Sequence, residues 1–513
     1  MNVSTAEEYK TTNYEGAPAY RLSHRWHLYS IVVTSALNDK FYETLDNRIE
    51  TIRELIKQTS PQYVSRLAVY AREQMNLRSI PLVLAVELSG VHSGDSLVGR
   101  LTSRIIQRAD EITELLAYYQ QSYGHKTSKK QSKRTAVKKL NRLSKQLQHG
   151  LKEAFNKFDE YQFAKYNHDA EVKLRDALFL VHPAPKDENQ QILFNKIAGN
   201  KLETPYTWET ELSALGQKKF AFEQDKTAAF GNKWAELIDS EKLGYMALLR
   251  NLRNILKNCI SSKHIRKVCE TLASEERILK SKLLPFRFFA AYRELSKADL
   301  SGGTWQIMEA LEKAVTISVR NIAGFDESTN VLIACDVSGS MQHPVSMRGK
   351  IQNYETGLML GMLLKSRCRN VVTGIFGDKW KIINLPDSGI LSNVDTLRKY
   401  MDKAGYSTNG YLVLQDLIDR RQVMDKIMIF SDCQLWDSSG HKISMRQMWQ
   451  TYKTIAPNAR LYLFDLAGYG TTPLNIAAND VYLIAGWSDK IFDMLDAIEN
   501  GEDIMTKIDK IEL

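Results

Sequence analysis

Asn330-Val-Leu-Ile-Ala-Cys-Asp-Val-Ser-Gly-Ser-Met341 decides how the C-terminal part of the chain is read. Val331 to Cys335 is a short apolar run, the mark of a strand covered on both faces. The run ends in Asp336, Ser338, Gly339 and Ser340. One carboxylate and two hydroxyls at i, i+2 and i+4 leave the strand on a turn that Gly339 is expected to ease. These hard oxygen donors suit a small divalent cation, Mg²⁺ first and Mn²⁺ second. An ionised Asp336 at the end of a buried strand needs such a cation, or hydrogen-bond donors, around it.

Outward from this stretch, residues 325–513 alternate strand and helix. Val331–Cys335, Val371–Phe376, Ile427–Phe430, Ala459–Phe464 and Val481–Ile484 read as strands. Tyr354–Cys368, Tyr411–Arg421, Ile443–Tyr452 and Lys490–Ile498 read as helices. That rhythm predicts a mostly parallel, doubly wound sheet with helices on both faces. Ligands of such sheets bind beyond the carboxyl ends of the strands. Asp336 and Asp432 each follow directly from one.

Between them lies Gly405-Tyr-Ser-Thr-Asn-Gly410. The three clusters, in this order, resemble the metal-ion-dependent adhesion site of a von Willebrand factor A domain. The resemblance implies one metal site of Asp336, Ser338, Ser340, Thr408 and Asp432. Tyr406-Ser407 stands where many relatives have Gly-Gly, so Ser407 competes with Thr408 for its place. The plainer reading is that the serines cap the helix that follows.

The chain before position 325 has a different texture. Patterns of 10–17 residues at helical spacing follow one another with breaks at Pro, Gly or Ser. Residues 9–24 read as an irregular, aromatic-rich arm. The whole looks like stacked helix pairs of the HEAT kind, without a fixed period. The cut falls at 325: 1–324 helical repeats, 325–513 the α/β domain.

Charge follows the same division. Positions 325–513 hold 20 Lys+Arg against 23 Asp+Glu, and positions 1–324 hold 49 against 37. A basic N-terminal part points to a polyanion partner. Residues 126–157 carry eleven Lys+Arg and one acidic residue, Glu153. Lys129, Lys130, Lys133 and Arg134 lie at their centre. Such a run is either a solvated face or a phosphate-contacting surface. Val172 to Pro183 reads as one helix, on which Arg175 and His182 lie two turns apart on one face. With Lys173 and Lys186 they would line an anion track. Arg250 and Arg253, three apart on a later helix, face RNA or pair with carboxylates.

No apolar run reaches the ~20 residues of a membrane span. The N-terminus lacks a basic patch followed by an apolar core. Cys259, Cys269, Cys335, Cys368 and Cys433 are scattered, with neither disulfide nor zinc spacing. A reduced, cytoplasmic protein is expected.

Asn13-Tyr-Glu-Gly-Ala-Pro-Ala-Tyr20, Lys165-Tyr166-Asn167 through His182, Ala247-Leu-Leu-Arg-Asn-Leu-Arg-Asn254 and Leu284-Pro-Phe-Arg287 resemble the TROVE-domain family. This is the family of the Ro autoantigen and its bacterial orthologues, in which a von Willebrand A domain follows. The resemblance implies a monomeric ring of HEAT-like helical repeats closed by the doubly wound domain. It implies small non-coding Y-like RNAs and the single-stranded 3′ ends of misfolded RNAs as partners. For bacterial relatives it adds an exoribonuclease. Arg175 and His182 match positions where the family touches RNA, and Phe179 stands where some relatives have a further basic residue.

The function expected is therefore a non-catalytic RNA-binding protein of RNA quality control. Lys and Arg would supply affinity through phosphate, and a constriction would select single strands by shape. Tyrosines and Arg planes in such a passage would stack on bases. Two other classes stay open: a Mg²⁺-dependent nuclease built on Asp336 and Asp432, and a protein-interaction scaffold using the metal-dependent domain. A second carboxylate cluster for two-metal hydrolysis is not visible.

Overall fold

A computed structural model describes residues 10–35, 43–123, 143–167, 171–258, 261–297, 303–320, 322–345, 350–441, 443–478 and 480–513. The chain packs into two compact units. One comprises Met1–Glu50 with Lys218–Ile504, the other Thr51–Gln217 with Met505–Leu513. The six-stranded sheet lies wholly after position 325, but two strands precede it and the compact units do not divide there. The N-terminal arm folds with the sheet, and the last residues of the chain fold with the early helices.

The first unit is built on a six-stranded sheet. Its strands are β3 (Asn330–Asp336), β4 (Asn370–Phe376), β5 (Trp380–Ile382), β6 (Lys426–Ser431), β7 (Arg460–Asp465) and β9 (Val481–Ala485). Their order is β5-β4-β3-β6-β7-β9. All neighbours are parallel except β5, which closes one edge antiparallel to β4. The five strands read from apolar runs are all present. The central run is apolar throughout because both faces are covered. Leu332 and Ala334 enter a core with Val413, Leu414, Leu417 and Trp449. Ile333 and Cys335 point the other way, against Gly361 of the helix Asn353–Lys365.

The arm is not irregular, as the sequence suggests. β1 (Lys10–Thr12) and β2 (Pro18–Arg21) form an antiparallel hairpin, and β2 pairs with β8 (Thr471–Thr472). Asn13 organises its turn: the side-chain oxygen accepts from the Glu15 and Ala17 amides at 3.1 and 2.9 Å. The helix His24–Val33 follows, earlier than Trp26 suggests because Ser23 caps it.

The second unit is helical. Ser60 caps Pro61–Glu73 with proline in the first turn. Pro81 lies in the first turn of Ser79–Val91. Buried charges tie these helices together. Glu111 is fully buried and accepts two bonds from Arg72 Nη2, at 2.8 and 2.9 Å, and one from Arg78 Nε at 3.2 Å. Glu87 takes Arg53 bidentately at 3.0 Å. Among the described residues no helix is long and apolar enough to cross a membrane. Cys269, Cys335, Cys368 and Cys433 are all free.

Candidate functional site

The loops that leave β3 and β6 meet at the carboxyl edge of the sheet, and hydrogen bonds hold them in register. Asp336 is the last residue of β3, and Ser340 sits in the single 3₁₀ turn Gly339–Met341. Gly339 does not adopt a left-handed backbone, so the turn makes no use of its conformational freedom, contrary to expectation. Its amide instead donates to the Tyr406 carbonyl at 2.8 Å, joining the first loop to the second. The Trp436 amide donates to the Thr408 carbonyl at 3.1 Å, joining the second to the third. Ser431 Oγ donates to Asp336 Oδ2 at 2.7 Å, closing the end of β6 onto the end of β3.

Asp336, Ser338, Ser340, Thr408 and Asp432 are all buried. Ser338 Oγ and Ser340 Oγ lie 3.3 Å apart. Ser338 does not merely cap a helix: its amide donates to Asp336 Oδ1 at 2.9 Å, and its hydroxyl makes no cap. Ser407 and Thr408 differ in their surroundings. The Ser407 amide donates to Asp378 Oδ1 at 2.8 Å, and its hydroxyl also serves that carboxylate. Thr408 is the buried one of the two.

One atom tests whether a cation fits. Asp432 Oδ1 accepts the Gln434 amide at 2.9 Å, but Oδ2 is buried and accepts no hydrogen bond among the described residues. A buried carboxylate oxygen without a donor is costly. Burial raises the pKa of both Asp336 and Asp432, and the charge of Asp432 raises that of Asp336 further. Hydroxyls of Ser338, Ser431 and Ser340 offset this only in part. The donor set is two carboxylates and hydroxyls, so it fits Mg²⁺ or Mn²⁺ better than a metal that prefers thiolate or imidazole. Among the described residues no three His, Cys, Asp or Glu side chains cluster to hold a metal ion of any kind, so a cation here would depend on the hydroxyls beside the two carboxylates.

Sequence reasoning missed the residues that support this centre. Ser431 was legible as a hydroxyl at a strand end next to Asp432. Asn13 and Tyr14 had no such signal. Asn13 Nδ2 donates to the Leu435 carbonyl at 2.9 Å, and the Tyr14 amide to Gln434 Oε1 at 3.0 Å. The hairpin tip thus braces the third loop, and the Glu15 carboxylate adds to the rise at Asp432.

The basic helix lies in the other unit. It spans Leu174–Val181 and buries Leu174, Ala177, Leu178 and Val181. Lys173, Arg175, His182 and Lys186 are exposed. Among the described residues no carboxylate lies within ion-pair distance of Arg175, so it is not spent on Asp176 or Glu171. Its guanidinium stands 5.6 Å from the centroid of the Phe179 ring. The helix is shorter than the expected Val172–Pro183: His182 ends it in the left-handed region at φ 49°, so the two-turn helical spacing from Arg175 does not hold, and its ring stays free of hydrogen bonds among the described residues. Lys186 is partly committed: Nζ donates to the Asn156 carbonyl at 2.9 Å. Arg250 and Arg253 belong to the first unit. Arg253 pairs with Glu294 at 3.8 Å while mostly exposed. Arg250 is exposed and adds a repulsive charge beside Arg287. Lys129, Lys130, Lys133 and Arg134 lie outside the described residues.

The family model of the TROVE domain matches residues 33–226 and, overlapping them, 195–304, which together are just over half of the chain. The chain belongs to the TROVE family. The TROVE match takes in the helix Leu174–Val181, Arg250 and Arg253, and stops before the sheet. Two mammalian relatives are similar to this chain: telomerase protein component 1 of Mus musculus, 26% identical over 318 residues, and of Rattus norvegicus, 24% identical over 323. Each match covers 47% of this chain and only 11% of the relative. The solved Ro (RSR) protein of Deinococcus radiodurans is similar over 94% of this chain and all of that one, at TM-score 0.57 and 15% identity. At that identity the likeness shows the fold, a TROVE helical region followed by an α/β domain.

Proposed function

We propose that this TROVE protein is a non-catalytic RNA-binding protein of the Ro type. In this reading it holds small structured non-coding RNAs of the Y kind and the single-stranded 3′ ends of misfolded RNAs. The observation that carries it is the exposure of Arg175 and His182, on a helix and its C-terminal cap within the domain that defines the family. Among the described residues the guanidinium is free of carboxylates and the imidazole free of hydrogen bonds. Arg presents a planar fork that fits phosphate, and His donates to phosphate or stacks on a base. The charge excess of the N-terminal part supplies attraction at longer range. The test is fluorescence anisotropy with a small hairpin RNA. Arg175→Ala with His182→Ser should weaken binding by at least ~1 kcal/mol, the scale of one or two charge-assisted hydrogen bonds. The melting temperature should stay nearly fixed. A drop in melting temperature with unchanged affinity would mark both residues as structural.

The α/β domain reads as a von Willebrand A-type module that holds a divalent cation, supported by the orphaned Asp432 Oδ2. Asp336, Ser338, Ser340, Thr408 and Asp432 would hold the ion, which would offer a Lewis-acidic position to a carboxylate of a protein partner. Pure protein incubated with Mg²⁺ and labelled RNA should leave the RNA intact. Cleavage that Asp336→Ala abolishes would instead support a nuclease.

A further inference from the structure

Arg175 and Phe179 are four residues apart and lie on one face of their helix, toward solvent, and His182 follows at the cap that ends it. Phe179 is 49% exposed. The helix does not need it there, since its buried face is complete with Leu174, Ala177, Leu178 and Val181. A lone exposed Phe requires no explanation. This one is not alone. The Arg175 guanidinium flanks its ring on one side, and the exposed His182 stands at the cap just beyond the helix end.

The pattern recurs on the preceding helix, Glu160–Tyr166. Tyr161 is 47% exposed there, with Lys165 Nζ 5.6 Å from its ring centroid. The two helices adjoin: Tyr166 and Asn167 line a small cleft with Val172 and Leu174. Exposed rings braced by cations supply the two parts of single-strand recognition. The ring stacks on a base, and the cation neutralises its phosphate.

We propose, resting on the RNA-binding reading above, that Phe179 is a base-stacking residue for unpaired nucleotides, with Tyr161 on the preceding helix as a second platform. In a continuous duplex the faces of the bases are taken up by their own stack, so a surface phenyl ring has nothing to stack on. This helix therefore favours RNA with unpaired bases, and its selectivity is for strandedness rather than sequence.

The full-length protein is titrated by anisotropy against a fluorescein-labelled oligouridylate and against a blunt RNA duplex of equal length, over a range of salt. Phe179→Ala should weaken single-strand binding about 5- to 10-fold, the effect of losing one stacked base. The salt slope should not change, because no phosphate contact is lost. Duplex binding should hardly move. Phe179→Tyr should restore affinity, and Phe179→Leu, equally apolar but unable to stack, should not. Wild-type affinity in both Phe179→Ala and Phe179→Leu would overturn the proposal, as would an equal loss on duplex and single strand. If wild-type protein binds neither RNA, the RNA-binding reading falls and this falls with it. If wild type binds and Phe179 is silent, only the stacking role is lost.

Discussion

Asp432 Oδ2 is a buried carboxylate oxygen that accepts no hydrogen bond of good geometry among the described residues, although the Ser340 hydroxyl is near enough to lower the pKa of that carboxyl. Two outcomes separate a metal site from a passive loop. Without metal, Asp432→Asn should stabilise the protein by ~1–3 kcal/mol, the cost of an unsatisfied buried polar group. Mg²⁺ or Mn²⁺ at 100 times its Kd should stabilise the wild type by about 2.7 kcal/mol and leave Asp432→Asn and Asp336→Ala unmoved. Thermal melts with and without metal read both effects, and a wild type indifferent to either ion would remove the site. His27 poses the opposite case, a group held neutral. Its ring packs against Gly470, where a Cβ would come within 2.4 Å of it, and its Nε2 is buried without a partner among the described residues. Burial first, then the charges of Arg48, Arg21 and His24, lower its pKa from 6.5 to about 4. The unfolded chain takes up a proton as pH falls through 6.5, and the folded one only near 4. The contribution is thus complete above 6.5 and is lost as pH falls toward 4, on the order of 2 kcal/mol after discounting partial exposure. Melts at pH 7.5 and 5 should show a smaller acid loss in His27→Phe than in wild type. Equal losses would show that His27 titrates normally in the fold.

Helix contacts set the next scale. The helices Leu97–Ile105 and Lys145–Phe155 approach so closely that a Cβ on Gly150 would lie 2.4 Å from the Gly99 carbonyl oxygen and 3.0 Å from the Ser103 amide nitrogen. Both obstacles are backbone, so neither can swing aside. Gly150→Ala should cost ~1–3 kcal/mol by overpacking. Gly216→Ala, at a helix end where a Cβ meets nothing within 4 Å, should cost nothing or stabilise slightly. Chemical denaturation of the pair checks it, and equal stabilities would contradict the packing. What the sequence reveals at this scale depends on how local the cause is. The five core strands were legible because burial on both faces makes each an unbroken apolar run. Trp380–Ile382 was not, being three residues long at a half-exposed edge with Lys381 in the middle. The hairpin was not, because its partner β8 lies near the other end of the chain and such short strands carry no periodicity. The metal loops follow the same rule. Asp336, Ser338, Ser340 and Asp432 stand in local patterns at strand ends. Asn13 and Tyr14 act on the third loop only through the fold, which brings them to it from far away in the sequence.

For the whole molecule, charge and site chemistry are segregated along the chain. The part before position 325 carries the basic excess, and the buried oxygen donors follow it in a part with 20 basic against 23 acidic side chains. A polyanion and a divalent cation would compete if they shared one region. Here the candidate oxygen donors Asp336, Ser338, Ser340, Thr408 and Asp432 are buried at the sheet edge, whereas Arg175 is exposed on its helix. RNA and metal should therefore bind independently, with Asp336→Ala leaving RNA affinity unchanged. The salt dependence of RNA binding then reports on the helical part alone. Neutralising Lys129, Lys130, Lys133 and Arg134 to Gln should weaken binding of a structured RNA. Each lost phosphate contact should lower the slope of log affinity against log salt by roughly 0.7–0.9, so four contacts lower it by about 3. Adding Arg175→Ala should lower it by about one more, because that guanidinium counts as a further contact. Phe179→Ala added to either should leave the slope where it was, since stacking releases no counterion. The measurement is a titration series from about 50 to 200 mM salt. A quadruple variant with wild-type affinity and slope would make the basic segment a solvated face, and leave the exposed stripe on Leu174–Val181 to carry RNA binding.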